Sequence, residues 1–136
     1  MSAPPRYMLD TNIASYMLRG GNPALSRRLA AVPMASVCIS AVTQGELLYG
    51  VARRPESRGL AQAVRELLSR LEVLPWDGAA ATRYGVLRAQ LENAGKPLGS
   101  LDALIAAHAI AADARLVTND RAFLRVPGLV VEDWTR

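Results

Sequence analysis

Cysteine, histidine and lysine are nearly missing from this 136-residue chain, which holds one of each: Cys38, His108 and Lys96. A single cysteine closes no internal disulfide, and the run Val37-Cys38-Ile39 makes it a small core residue. Without a Cys/His cluster there is no structural zinc site. The longest apolar stretch, 101–112, contains Asp102 and His108 and is too short to span a bilayer. The first residues, Met1-Ser2-Ala3-Pro4-Pro5-Arg6, carry no apolar leader segment. The expectation is a soluble protein of the reducing cytoplasm. Repeats, low complexity and an interdomain linker are also absent, so residues 1–136 are read as one domain.

Hydrophobic residues, by contrast, make up 51% of the chain, enough for a real core. The net charge of +4 comes from 16 basic and 12 acidic residues, and every basic residue except Lys96 is arginine. Arginine suits bidentate contact with phosphate. If four acids share one site, the remaining surface sets 16 basic residues against 8 acids. That is an acidic pocket in a basic surround, suited to a polyanion held around a metal.

Apolar spacing predicts strands over 7–9, 36–40, 73–75, 116–118 and 129–131. Helices are predicted over 11–18, 24–32, 41–53, 60–71, 78–94 and 101–112, with a helical turn at 121–124. Asn22, Ser40 and Ser100 are the expected helix caps, and Pro23 fits a first helical position. Pro75 argues for an edge strand. Strands alternating with helices indicate an α/β fold with a parallel sheet covered on both faces.

Eight acids fall on polar helix faces or in turns and read as solvated. The other four are placed differently. Asp10 and Asp120 each follow an apolar strand, where open α/β sheets bind ligands. Glu46 lies early in the helix after the 36–40 strand, so its carboxylate can turn back to the same sheet edge. Asp102 sits in the first turn of a helix otherwise rich in Ala, Leu and Ile, and a carboxylate on a buried helix needs a partner. Each also has an ordinary reading as a cap, a surface group or a dipole-compensating acid.

If the four converge, two carboxylates about 4 Å apart repel by roughly 4 kcal/mol at an effective dielectric near 20. No Lys or Arg lies within three residues of Asp10, Glu46 or Asp102. An all-oxygen set calls for Mg²⁺ or Mn²⁺. Such an ion would acidify water and offset charge on a phosphoryl oxygen, which is the chemistry of phosphodiester hydrolysis. His108, on the apolar face of its helix, is then a core histidine and not the general base.

Four segments carry a recognisable pattern: Tyr7-Met8-Leu9-Asp10-Thr11-Asn12, Ile39-Ser40-Ala41-Val42-Thr43-Gln44-Gly45-Glu46-Leu47-Leu48-Tyr49-Gly50-Val51, Pro97-Leu98-Gly99-Ser100-Leu101-Asp102-Ala103-Leu104-Ile105-Ala106-Ala107-His108-Ala109, and Leu116-Val117-Thr118-Asn119-Asp120-Arg121-Ala122-Phe123. With the tail Val126 to Trp134, they resemble the VapC-type toxins of bacterial toxin–antitoxin systems, within the PIN-domain nucleases. The resemblance covers essentially the whole chain.

The resemblance implies a three-layer α/β sandwich with a mostly parallel central sheet flanked by helices. It implies endoribonuclease activity needing Mg²⁺ or Mn²⁺, with metal ligation around Asp10, Glu46, Asp102 and Asp120. Thr11, Asn12, Ser40 and Thr118 would support the carboxylates or a phosphate by hydrogen bonds. Related chains often have Asn in place of Asp120, so its loss is expected to hurt less than loss of Asp10. A cognate antitoxin would cover the site with its C-terminal segment, and the toxin would form a homodimer within a toxin–antitoxin hetero-oligomer.

Arg53, Arg54 and Arg58 are candidate RNA-phosphate contacts, against the plain reading of a solvated helix end. Leu60, Val64, Leu67 and Leu68 read as core before antitoxin groove. Two rival enzymes fit poorly: a haloacid-dehalogenase-like phosphatase wants a second Asp where Asn12 stands, and a dinucleotide site wants a Gly-rich turn after the first strand. A non-catalytic scaffold that only binds RNA or a partner is the alternative outside enzymes.

Overall fold

The apolar runs set between breakers become strands and helices in the computed structural model, which describes residues 4–136. In chain order they are β1 (Arg6–Leu9), α1 (Thr11–Arg19), α2 (Pro23–Ala30), β2 (Val37–Ser40), α3 (Ala41–Arg53), α4 (Arg58–Arg70), β3 (Glu72–Leu74), α5 (Gly78–Asn93), α6 (Ser100–Ala111), β4 (Ala114–Val117) and β5 (Val131–Glu132). Short 3₁₀ turns stand at Met34–Ser36 and Arg121–Arg125. At nine residues, α1 is shorter than the roughly 12–15 an isolated helix needs. Burial of Ile13 and Ala14 and a cap from Asp10 hold it in place.

The sheet order is β3-β2-β1-β4-β5, and all four pairings are parallel. β3 lies at an edge, as Pro75 required. Successive residues point to opposite faces. Met8, Cys38 and Leu116 pack under α5 and α6, whereas Leu9, Ile39 and Val117 pack under α1, α3 and α4. Val64 and Leu67 of α4, with Leu60 and Leu68 partly covered, belong to the second cluster, so that stripe is core. Cys38 is buried, and desolvation lifts its thiol to about 11.

Several local expectations fail: the last two strands, expected over 116–118 and 129–131, are Ala114–Val117 and Val131–Glu132. Gly99, not Ser100, occupies the cap position of α6 and offers no side-chain bond, because Ser100 is already helical. Leu101, expected on the apolar face, is 45% exposed because it points off the alanine-rich side that meets the core.

The topology positions the functional edge. The chain starts at the centre with β1 and builds outward through β2 and β3. It then crosses to the other side of β1 for β4 and β5, so the order reverses between β1 and β4. Ligands of open α/β sheets bind at the strands' carboxyl ends beside such a reversal. α3 starts there because it follows β2 directly. α6 starts there because a two-residue link, with Asp113 at φ 52, joins its other end to the beginning of β4.

Candidate active site

Asp10 is the first residue past β1 and is only 4% exposed. Its amide donates to Val117 O at 3.0 Å, tying the ends of β1 and β4 together. Its Oδ1 accepts from Ile13 N–H at 2.8 Å, which caps α1. Its Oδ2 accepts from the buried Thr118 hydroxyl at 2.5 Å. Burial pushes its carboxyl up to about 6, and the charges of Asp102 and Asp120 push the same way, against the lowering bonds from Thr118 and Ile13. The cap reading of Asp10 therefore holds for one oxygen, while the other is held by Thr118.

The Thr118 hydroxyl also accepts from Asp120 N–H at 3.0 Å. Asp120 is exposed, and its Oδ1 accepts from Ala122 N–H at 2.9 Å to start the 3₁₀ turn. Asp102 is half-buried in the first turn of α6. Burial raises its carboxyl, and Asp120 and Glu46 add to the rise. Glu46 is half-buried on α3. Asp10 thus feels the negative charges of Asp102 and Asp120, and Asp102 those of Asp120 and Glu46.

Among the described residues, no arginine, lysine or histidine forms an ion pair with any of the four. Nor do three or more His, Cys, Asp or Glu side chains form a ready-made ligand cluster among them. The set still fits a hard dication. Mg²⁺ binds through one or two carboxylates, retains waters and takes further oxygens from substrate phosphate, so a closed protein cage is not required. The donors here are all oxygens, and Asp10 and Asp102, raised by burial and then by neighbouring carboxylates, are groups whose charged form a cation favours.

The remaining predicted residues divide. Thr118 supports Asp10 directly. The Thr11 hydroxyl lies 3.2 Å from that of Thr43, and Asn12 is exposed at the start of α1. Ser40, expected beside a carboxylate or phosphate, instead accepts from Val42 N–H at 3.1 Å and lies 2.7 Å from His108 Nδ1. It is fully buried because β2 carries it into the core before α3 begins. His108 is buried, as expected of a core histidine. Arg53, Arg54 and Arg58 are exposed, with the Arg53 guanidinium 5.4 Å from the centre of the Tyr49 ring. Arg53 is seven residues beyond Glu46, about 10 Å along the helix axis.

The sequence reading missed Thr43, a polar residue on the buried stripe of α3 that it shares with Leu47. It also missed the pair in which Asn119 Nδ2 donates to the Tyr16 hydroxyl at 3.3 Å while Arg19 stacks 4.8 Å from that ring. A tyrosine on an apolar helix face needs a partner for its hydroxyl, and that was the available signal.

Roomier cavities lie elsewhere. One of about 450 Å³ opens at the strands' amino ends beside Arg6, Asp113 and Arg115. An opening of about 60 Å³ beside Asp120 is lined by Thr118, Asn119 and Asp120 among others. An enclosed small-molecule site is normally several hundred Å³.

Residues 7–129 match the model of the PIN domain family. The chain is 42% identical over 133 residues to the tRNA(fMet)-specific endonuclease VapC of Shigella flexneri, covering 96% of this chain and 98% of that protein. In structure it is similar to VapBC2 from Rickettsia felis bound to a DNA fragment from their promoter. The TM-score is 0.87 and the identity 37%, with 94% of this chain and 98% of that chain covered. It is likewise similar to DNA-bound VapBC from Salmonella typhimurium, at TM-score 0.85 and 36% identity, with 96% and 99% covered.

Proposed function

Because the chain belongs to the PIN-domain family, and within it to the VapC ribonucleases, we propose that Asp10, Glu46, Asp102 and Asp120 are its phosphodiester-cleaving centre and that Mg²⁺ is the ion they hold. The chain is an endoribonuclease, the toxin half of a toxin–antitoxin pair, and its partner is a VapB-type antitoxin. One observation carries the assignment of the centre. A buried aspartate at the sheet's reversal point feels the charges of Asp102 and Asp120 and, among the described residues, forms no ion pair with a positive side chain.

A bound divalent cation supplies Lewis acidity there, offsetting charge on a phosphoryl oxygen and making water acidic enough to react at neutral pH. The chain's own groups do the rest. Thr118 and the Ile13 amide fix the orientation of the Asp10 carboxylate. Asp102 in the first turn of α6 and Glu46 in the second turn of α3 close the acidic edge from the sides. Asp120, exposed and held by its own turn, stands at the mouth where the backbone enters and assists without being indispensable. Arg53, Arg54 and Arg58 bind flanking phosphates. Cleavage leaves a 5′-phosphate and a 3′-hydroxyl.

On this reading residues 1–136 form one PIN domain that pairs with a second copy and assembles with antitoxin. It works in the cytoplasm on RNA, with initiator transfer RNA the first substrate to try, after the name of the Shigella relative. No helix among the described residues is long and apolar enough to cross a membrane.

The test is incubation of antitoxin-free protein with total RNA and then with initiator tRNA, in Mg²⁺ and in EDTA. Cleavage with Mg²⁺ that EDTA abolishes is expected. RNA left whole in both would leave only a scaffold that binds RNA or a partner.

A further inference from the structure

We propose that His108 is a positioning residue for the acidic centre: its buried hydrogen bond to Ser40 fixes the helix that carries Glu46 against the helix that carries Asp102. The inference rests on the metal centre proposed above.

Ser40 and His108 are 68 residues apart, yet Ser40 Oγ lies 2.7 Å from His108 Nδ1. Ser40 is wholly buried, and His108 is 3% exposed. The serine caps α3, its oxygen accepting from Val42 N–H, so its proton is free to point at Nδ1. A neutral imidazole protonated on Nε2 then satisfies both partners. Burial holds His108 below its ordinary range, against the opposing charge of Asp77, and keeps it in that neutral form.

The bond joins the two elements that matter. Glu46 lies six residues beyond Ser40 on α3, and Asp102 lies six residues before His108 on α6, each about 9 Å along its axis. Like charges on Glu46 and Asp102 repel, a contribution to the Asp102 carboxyl that comes after those of burial and Asp120. The buried face of α6 is dominated by Ala103, Ala106, Ala107 and Ala109. Such small side chains make shallow ridges that resist sliding and rotation poorly. A leucine at 108 would fill the same space without burying polar atoms. What a leucine lacks is a directional bond that sets the register of α6 on β2 and the start of α3, before any ion arrives.

The experiment measures Mn²⁺ affinity by calorimetry on metal-free full-length protein, with the thermal midpoint alongside. The proteins are wild type, His108→Leu, His108→Asn, Ser40→Ala and the double variant Ser40→Ala/His108→Leu. Asparagine places a polar atom where Nδ1 was. His108→Leu is expected to bind Mn²⁺ roughly tenfold more weakly while still folded, and His108→Asn to stay within about threefold of wild type. The double variant is expected to be no weaker than the weaker single one, since both changes remove one bond. Folded His108→Leu with wild-type affinity overturns the proposal, as does His108→Asn no tighter than His108→Leu. Should His108→Leu not fold, Ser40→Ala reads the same bond from its other end, and wild-type affinity there overturns the proposal. Wild-type protein that binds no Mn²⁺ instead overturns the metal centre itself.

Discussion

Glu132, the last residue of β5, and Asp10, just past the end of β1, both draw a carboxylate out of open water, and the chain surrounds them in opposite ways. Glu132 accepts from Arg28 at 3.0 Å, from Arg115 at 2.8 Å and from Trp134 Nε1 at 2.9 Å. Burial raises its carboxyl, but the bonds from Trp134 and Arg115 and the two guanidinium charges outweigh that and hold it below its ordinary range. Asp10 receives one amide and one hydroxyl, both neutral, and faces Asp102 and Asp120. A chain with fifteen arginines spends two on the half-buried Glu132 and none on the more buried Asp10. The shortfall of positive charge is therefore local to the acidic edge, which is where the proposed dication would sit.

The sharpest way to break that contrast is Asp10→Asn. Cleavage should fall by more than about a hundredfold, beyond what loss of a merely supporting partner costs. The thermal midpoint of the metal-free protein should meanwhile rise. A carboxyl moved from 3.8 to about 6 disfavours folding by roughly 3 kcal/mol at neutral pH. The sign follows from the raised folded value. This group's contribution is fully favourable below about pH 4 and is lost as pH rises through about 6. A midpoint that falls, with cleavage retained, would put Asp10 in the same class as Glu132.

Thr118→Val removes the hydroxyl that orients Asp10 and should weaken Mg²⁺-dependent cleavage about tenfold, measured as rate against Mg²⁺ concentration. Asp120→Asn keeps an oxygen at the exposed mouth and should cost only a few-fold in the same assay, roughly at or below the bottom of the range for a supporting partner. The smallest effect on activity belongs to the compensated region. Glu132→Gln should leave cleavage unchanged and lower stability by only about 1 kcal/mol in urea unfolding, because Arg28 and Arg115 are about half exposed and solvent screens them. A large cleavage defect there would show that the tail and the acidic edge are not independent.

Much of the fold was legible because the chain punctuates itself. Gly20-Gly21-Asn22-Pro23 ends one helix and caps the next, and Ser40 closes a strand and opens α3. The alternation that sends Met8 and Leu9 to opposite faces is visible as an unbroken apolar run with a strand's length. β4 was placed late because Ala114-Arg115 lacks β-branched residues, and only pairing with β1 makes them a strand. The placement of Asp10 and Asp120 after strand ends, and of Glu46 and Asp102 on the helices α3 and α6, was readable too, since local punctuation fixes it. What joins them was not. Thr118 meets Asp10 across 108 residues and His108 meets Ser40 across 68, and no local pattern encodes such pairings. The same limit misplaced Ser40, whose capping role was visible while its burial against α6 was not.

The most direct measurement is an NMR titration of the Asp10 carboxyl carbon, with and without Mg²⁺. In metal-free protein its midpoint should lie near 6, and in Mg²⁺ it should drop to or below 3.8. A midpoint that Mg²⁺ leaves where it was would mean that no dication sits against Asp10.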